Sequence, residues 1–272
     1  MMAVLITVAE RSVLAFASIL FFIQIVSHEI GYQLGRRDHA RKENPETVGV
    51  IVGGMLGLLA FVLALTLSFA NTRFSERRMG SLAETNAIGT AWLRAKAVGT
   101  PRAEEIASLL EQYAKVRADF IAAGRTEQAV VEASNQRTNA LQSALWGHLA
   151  AIVREQPNPV TNALMTALND TFDASATERF AYETRLPPQL FWLLVGMTML
   201  CMGSLGYQFG LKEKPSRVLI ALLTLMWTSV IVDILDLASA RLGSIRTETT
   251  VYDWTIQSFK GGLTIPPLVT QP

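Results

Sequence analysis

The chain has 272 residues, of which 50% are hydrophobic and 17% charged, with a formal net charge of +1. That balance is too apolar for an ordinary soluble surface and too charged for a chain held wholly in lipid, so a membrane protein with a sizeable aqueous part is expected. The near-zero net charge excludes a dedicated nucleic-acid surface, which concentrates positive charge, and no DNA or RNA partner is expected.

Four apolar stretches, 12–34, 48–70, 189–210 and 218–239, organise the sequence. Each is about twenty residues long, enough to cross a hydrocarbon core of roughly 30 Å at about 1.5 Å per residue. The stretches fall into two hairpins, residues 1–70 and 189–239, separated by an extramembrane insert, 71–188, and followed by a tail, 240–272. Membrane lipid is thus the first expected partner. The expected fold is all-α, four transmembrane helices with a helical insert.

The first stretch has no basic leader and no small-x-small cleavage pattern, so it is expected to remain as a helix. Gln24 and His28 lie one turn apart within it, with Glu29 adjacent. His28-Glu29-Ile30-Gly31-Tyr32 places Tyr32 where a zincin has its second histidine. His39 and His148 offer no ligand spacing. Helix-end capping or interhelical hydrogen bonding is the expected role of these polar groups, and no metal is expected.

The second stretch carries small residues at three- and four-residue steps: Gly49, Gly53, Gly57, Ala60, Ala64 and Ser68. At 3.6 residues per turn they share one face. Two readings follow, close helix packing of the small-xxx-small kind, or the wall of a pore in which Phe61 or Phe69 forms a dewetting constriction. No proline or glycine interrupts the helix at the membrane exit, so it is expected to run to about Lys96. The stripe then continues through Asn71, Ser75, Arg78, Asn86 and Gly89, with Arg78 at the mouth of any pathway. Arg73, Arg77 and Glu84 form a stripe on roughly the opposite face, where charge-assisted contacts would brace the helix.

The insert is punctuated as helices. Thr100-Pro101 is an N-cap followed by proline at the first helical position, with Leu109, Leu110, Tyr113 and Val116 at helical spacing before Gly124. A second helix is expected from about Thr126 to Glu155, and a third after Pro159. Pro187-Pro188 marks entry to the third span. No strand alternation, repeat or low-complexity segment stands out.

Cys201, the single cysteine, lies in the third stretch and excludes an intrachain disulfide. Asp233 and Asp236 lie three apart near the end of the fourth. They are read either as an intramembrane cation or proton site or as interfacial groups within reach of water and Arg241. No Walker loop, GxSxG elbow or cysteine–histidine pair is present, so neither an enzyme nor a cofactor is expected. The tail carries Val251, Trp254, Ile256 and Phe259 before Gly261-Gly262 and Pro266-Pro267, a segment suited to rest at the interface or against the insert.

The run RFSERRMGSLAETNAIGTAWLRAKAV from Arg73, with LLEQYAKVRADF ending at Phe120, LMTALNDTFDASATERF at 164–180 and DILDLASARLGSI at 233–245, resembles a bacterial family labelled bestrophin-like. Arg73, Arg77, Glu84, Asn86, Arg94, Asn169, Arg179, Asp236 and Arg241 fall on the matching positions. The resemblance implies a multi-pass protein of the bacterial inner (plasma) membrane. Through the family's link to bestrophins, it also implies a homo-oligomeric, pentameric channel for anions such as chloride, lined by the second span. The sequence departs from bestrophins in lacking a dense acidic cluster like their calcium clasp and a plain neck of large apolar residues. Two other roles remain open: a non-conducting scaffold or sensor whose insert binds a protein partner, and a proton-coupled carrier using Asp233 and Asp236. Charge leaves orientation open as well. The compact loops with Arg36, Arg37, Arg41, Lys42, Lys212, Lys214 and Arg217 favour the cytoplasm for themselves, whereas the resemblance puts the insert and both termini there.

Overall fold

The computed structural model describes residues 13–38, 45–124, 127–184, 187–213, 216–241 and 243–264. Arg41, Lys42, Thr126, Lys214, His39 and Pro266-Pro267 lie outside them. Among the described residues the chain is all-helical: α1 Val13–Asp38, α2 Pro45–Val98, α3 Pro101–Ala122, α4 Gln128–Glu155, α5 Pro159–Glu183, α6 Pro188–Leu211, α7 Arg217–Ala238 and α8 Thr250–Lys260. Four helices, α1, α2, α6 and α7, are long and apolar enough to cross a membrane.

The helix boundaries follow local chemistry. Thr100 caps α3 by accepting the Ala103 N–H at 3.3 Å, with Pro101 just inside. Asn158 and Thr161 form a reciprocal capping box at the start of α5. Gly99, at φ +66°, supplies the left-handed residue that ends α2. Because nothing interrupts α2 before Gly99, it runs unbroken for 54 residues. At about 1.5 Å per residue that is roughly 80 Å, far more than a hydrocarbon core requires.

The chain divides into two compact units, Met1–Phe74 with Arg185–Arg246, and Ser75–Thr184 with Thr247–Pro272. In the first, an apolar core draws Phe16 and Leu20 from α1, Leu59 and Leu63 from α2, Leu194, Met202 and Leu205 from α6, and Trp227, Ile231 and Ile234 from α7. The closest approach within it is between α1 and α6, which run parallel. A Cβ at Gly31 would lie 3.0 Å from the Tyr207 backbone nitrogen and closer to the Gly203 carbonyl oxygen. A Cβ at Gly206 would lie 3.0 Å from the Tyr32 nitrogen and closer to the His28 oxygen. Gly35 and Gly210 meet in the same reciprocal way. The residues responsible are Gly-Tyr-Gln-Leu-Gly at 31–35 and Gly-Tyr-Gln-Phe-Gly at 206–210. This short repeat corrects the expectation that the sequence holds none. Its two copies cross as a GxxxG pair, which removes side chains so that dispersion contacts form between backbones.

In the second unit, α3 packs on α4 and α8, and α4 on α5. Helix α8 of the C-terminal segment belongs here. Tyr252 and Phe259 are buried, and the Phe259 ring lies 5.0 Å from that of Trp92.

Gly31→Ala and Gly206→Ala should each destabilise the protein by about 1–3 kcal/mol, because the new methyl meets backbone that cannot rotate away. Gly57→Ala, with nothing within 4 Å of its Cβ position, should be close to neutral. Unfolding in mixed micelles measures all three.

Candidate functional site

Helix α2 has two faces. One is buried: in the first unit at Val52, Leu59, Leu63, Thr66 and Ala70, and in the second at Arg77, Ser81, Glu84, Ile88, Ala91 and Ala95. The other is open. Gly53, Gly57, Ala60, Ala64, Ser68, Asn71 and Arg78 are exposed on it, and Phe61 is 60% exposed. Positions 53, 54 and 57 have no atom within 4 Å of an added Cβ, whereas Gly49 is half-buried beneath the Gln208 side chain. Gly53, Gly54 and Gly57 are therefore not used for close packing within the chain. That role falls to the glycines of α1 and α6. An apolar groove of about 450 Å³, lined by Ile30, Val48, Ile51, Met55, Leu200 and Tyr207 among others, lies beside α2 in the first unit.

The buried face turns from apolar to ionic at Arg77. Glu84, fully buried, accepts from Arg117 Nε at 2.6 Å and Nη2 at 3.3 Å, a two-pronged ion pair between α2 and α3. The Tyr252 hydroxyl of α8 donates to the same carboxylate. The Arg117 guanidinium also lies 4.5 Å from the Phe120 ring centroid. Burial alone would lower the Arg117 pKa, but the Glu84 charge and its hydrogen bonds raise it overall. Burial, and then the Glu84 charge, push Tyr113 up to about 12 and Tyr252 well above the ordinary phenol range. Both phenols thus stay protonated at neutral pH. Tyr113 accepts from Gln142 Nε2 at 3.0 Å, which brings α4 into the network.

A second buried carboxylate, Glu178 of α5, accepts from Ser81 Oγ at 2.5 Å. Its Oε2 has no hydrogen-bond partner among the described residues and lies against Gly80, where any Cβ would collide with it. Burial, opposed by the Ser81 hydrogen bond and reinforced by the Glu84 charge, pushes its carboxyl up to about 7.

Of the other expected residues, Arg73 is half-buried with its guanidinium 5.1 Å from the Phe69 ring centroid. Arg94 donates to the Ala163 carbonyl at 2.6 Å, and Asn86 is exposed. Asn169 is exposed, and exposed Arg179 pairs with Glu183 at 2.7 Å. Within α1, Gln24 donates to Thr228 Oγ1 at 3.2 Å, and His28 lies 6.3 Å from the Phe209 ring. Gln24 Oε1 and His28 Nε2 have no hydrogen-bond partner among the described residues. Glu29 is exposed and accepts from Gln33 at 3.3 Å.

The two aspartates of α7 diverge: Asp233 is exposed, and Asp236 is buried. Asp236 Oδ2 accepts from the Ser244 N–H at 3.0 Å and the Ile245 N–H at 3.3 Å. Gly243, at φ +61°, makes this turn possible, since a Cβ there would strike the carboxylate. Asp236 and Gly243 thus tie the chain leaving α7 back onto its end.

Sequence reading missed Arg117, Tyr252 and Glu178. Each is a polar residue at a buried helical position: Arg117 follows Leu110 and Tyr113 on one face of α3, and Glu178 follows Thr171 and Ser175 on α5. That placement was the available signal.

Apolar spanning helices and a buried charge network in the polar unit define an all-helical membrane protein. The family profile described as Bestrophin-like domain matches residues 18–252, and the chain belongs to that family. Searches of curated proteins and of solved structures found no match.

Arg117→Ala should cost about 3–5 kcal/mol, because Glu84 would be left buried and uncompensated. Tyr252→Phe, which removes one hydrogen bond to a charged group, should cost about 1.5–3 kcal/mol. Denaturant titration of purified protein checks the order; equal and small effects would contradict it.

Proposed function

We propose that the protein is a homo-oligomeric ion channel, selective for anions such as chloride, in which α2 lines the pathway. The supporting observation is the open face of α2: glycines at 53, 54 and 57 meet no atom of their own chain, although the same chain uses glycine for close packing elsewhere. In an oligomer gathered around α2, small side chains there leave room for an ion, and Phe61 narrows the passage with an apolar ring. Arg78, exposed in the polar unit, would attract anions to the mouth. Membership of the Bestrophin-like family favours this reading, including a pentameric assembly in a bacterial inner membrane with the polar unit in the cytoplasm. The role proposed is transport and not catalysis.

A second reading is a non-conducting scaffold whose polar unit binds a protein. It is favoured by the 70% exposure of Phe180 and the 64% exposure of Trp254, large apolar groups outside the spans. A proton-coupled carrier built on Asp233 and Asp236 is disfavoured, since backbone amides already occupy the Asp236 carboxylate.

Chloride flux in liposomes tests the channel. Wild-type protein should conduct, and Gly57→Trp should reduce flux at least about tenfold with particle mass unchanged, because a bulky ring would occupy the passage. Equal flux from both would exclude α2 as the lining, and no flux from an intact wild-type oligomer would favour the scaffold.

A further inference from the structure

The carboxylate of Glu178 is buried at the contact between α5 and the polar segment of α2, yet nothing in the ion-pair network requires it. Its setting is asymmetric. Oε1 accepts from Ser81 at 2.5 Å, while Oε2, without a hydrogen-bond partner among the described residues, presses on Gly80. The charged and titratable groups facing it are Arg77 and Glu84 from α2, Arg117 from α3 and Tyr252 from α8. Arg117 is committed to Glu84 through both of its hydrogen bonds. From α4 the network receives neutral Gln142 through Tyr113, and the charged Arg137 is bonded instead to Gln112 at 3.3 Å on the exposed surface.

A carboxylate in this position places a second negative charge beside Glu84 in a site that excludes water, whereas a carboxylic acid does not. Gly80 makes the close approach possible: only a residue without a Cβ lets the carboxyl lie against the α2 backbone. We propose that Glu178 is a proton-operated latch that holds α5 against the α2 segment 77–84 when protonated and loosens that contact when ionised. Two features carry this: the unpartnered oxygen at Gly80, and the Ser81 hydrogen bond that holds Glu178 one helical turn from Glu84 on α2.

Burial raises the Glu178 carboxyl to about 7, which sets the direction of the effect. An acid whose pKa is raised in the closed state binds its proton more tightly there. The closing contribution is thus full below the ordinary carboxylate range and is lost as pH rises through about 7. The latch itself stands apart from ion conduction. Its consequence, that pH would act on the helix lining the pathway, rests on the channel reading.

The test reads the contact and not the current. Hydrogen–deuterium exchange of full-length protein in nanodiscs, corrected for intrinsic rates, should show the amides of α5 and of residues 77–84 losing protection by up to about tenfold per pH unit up to neutrality, with a plateau above. Glu178→Gln, a neutral stand-in for the acid, should keep them protected throughout. In parallel, the infrared band of a protonated carboxyl should titrate near neutral pH in wild type and be missing in Glu178→Gln. Ser81→Ala, which removes the donor to Oε1 without altering any charge, should move that midpoint upward. A band titrating in the ordinary carboxylate range, or the same pH response of exchange in wild type and Glu178→Gln, would overturn the latch. Neither outcome depends on whether the protein conducts.

Discussion

The Glu84–Arg117 ion pair is the interaction on which the polar unit depends. Two charges leave water completely there, and such a pair is stable only when the geometry is good and the remaining acceptor positions are filled. Arg117 meets the first condition with two hydrogen bonds and Tyr252 the second with its hydroxyl. The pair joins α2 to α3, and the tyrosine adds α8 from far along the chain, so that one carboxylate gathers three helices. The two-pronged hydrogen bonding ties one face of α2 to α3 and so constrains the rotation of α2 there. The ionic pair permits few alternatives.

That rotation matters because it decides which face of the polar part of α2 is left open. In the polar unit its buried residues Arg77, Ser81, Glu84, Ile88, Ala91 and Ala95 recur at three- and four-residue steps. Within the polar unit, fixing Glu84 inward keeps Arg78 outward. In the other unit the equivalent constraint is the glycine crossing of α1 and α6, where backbone meets backbone and no side chain can slip between. Glycine does two opposite things in this chain. At 31, 35, 206 and 210 it is consumed by a neighbouring helix, and at 53, 54 and 57 it faces open space.

Much of the fold was legible because its signals are local. Length and apolarity identify the four spans, Thr100-Pro101 and Pro159 mark helix starts, and the absence of a proline or glycine at the membrane exit, Ser68 to Arg73, predicts a single long helix. The stripe of small residues on α2 was visible, but its meaning was not: sequence periodicity shows which residues share a face and not whether another helix covers it. The Gly-Tyr-Gln-x-Gly copies escaped notice because five residues separated by most of the chain give no periodic signal. Arg117 and Glu178 were hidden for a different reason. A charged residue within an amphipathic helix ordinarily turns to solvent, and its burial depends on partners such as Glu84 and Ser81 contributed by a helix far away in sequence. Asp236 was recognised as interfacial or functional, and only the tertiary turn at Gly243 reveals the backbone amides that occupy it.

What covers the open face of α2 decides whether it lines a passage, and accessibility to thiol reagents asks this directly. With Cys201 replaced by alanine, single cysteines at Gly53, Gly57, Ala60 and Ala64 would be compared with cysteines at Val52, Leu59 and Leu63 in reconstituted protein. A water-lined pathway predicts that a membrane-impermeant, charged reagent modifies the first group and spares the second. If the first group instead reacts only with a lipid-soluble reagent, that face meets lipid, and α2 does not line a passage for ions.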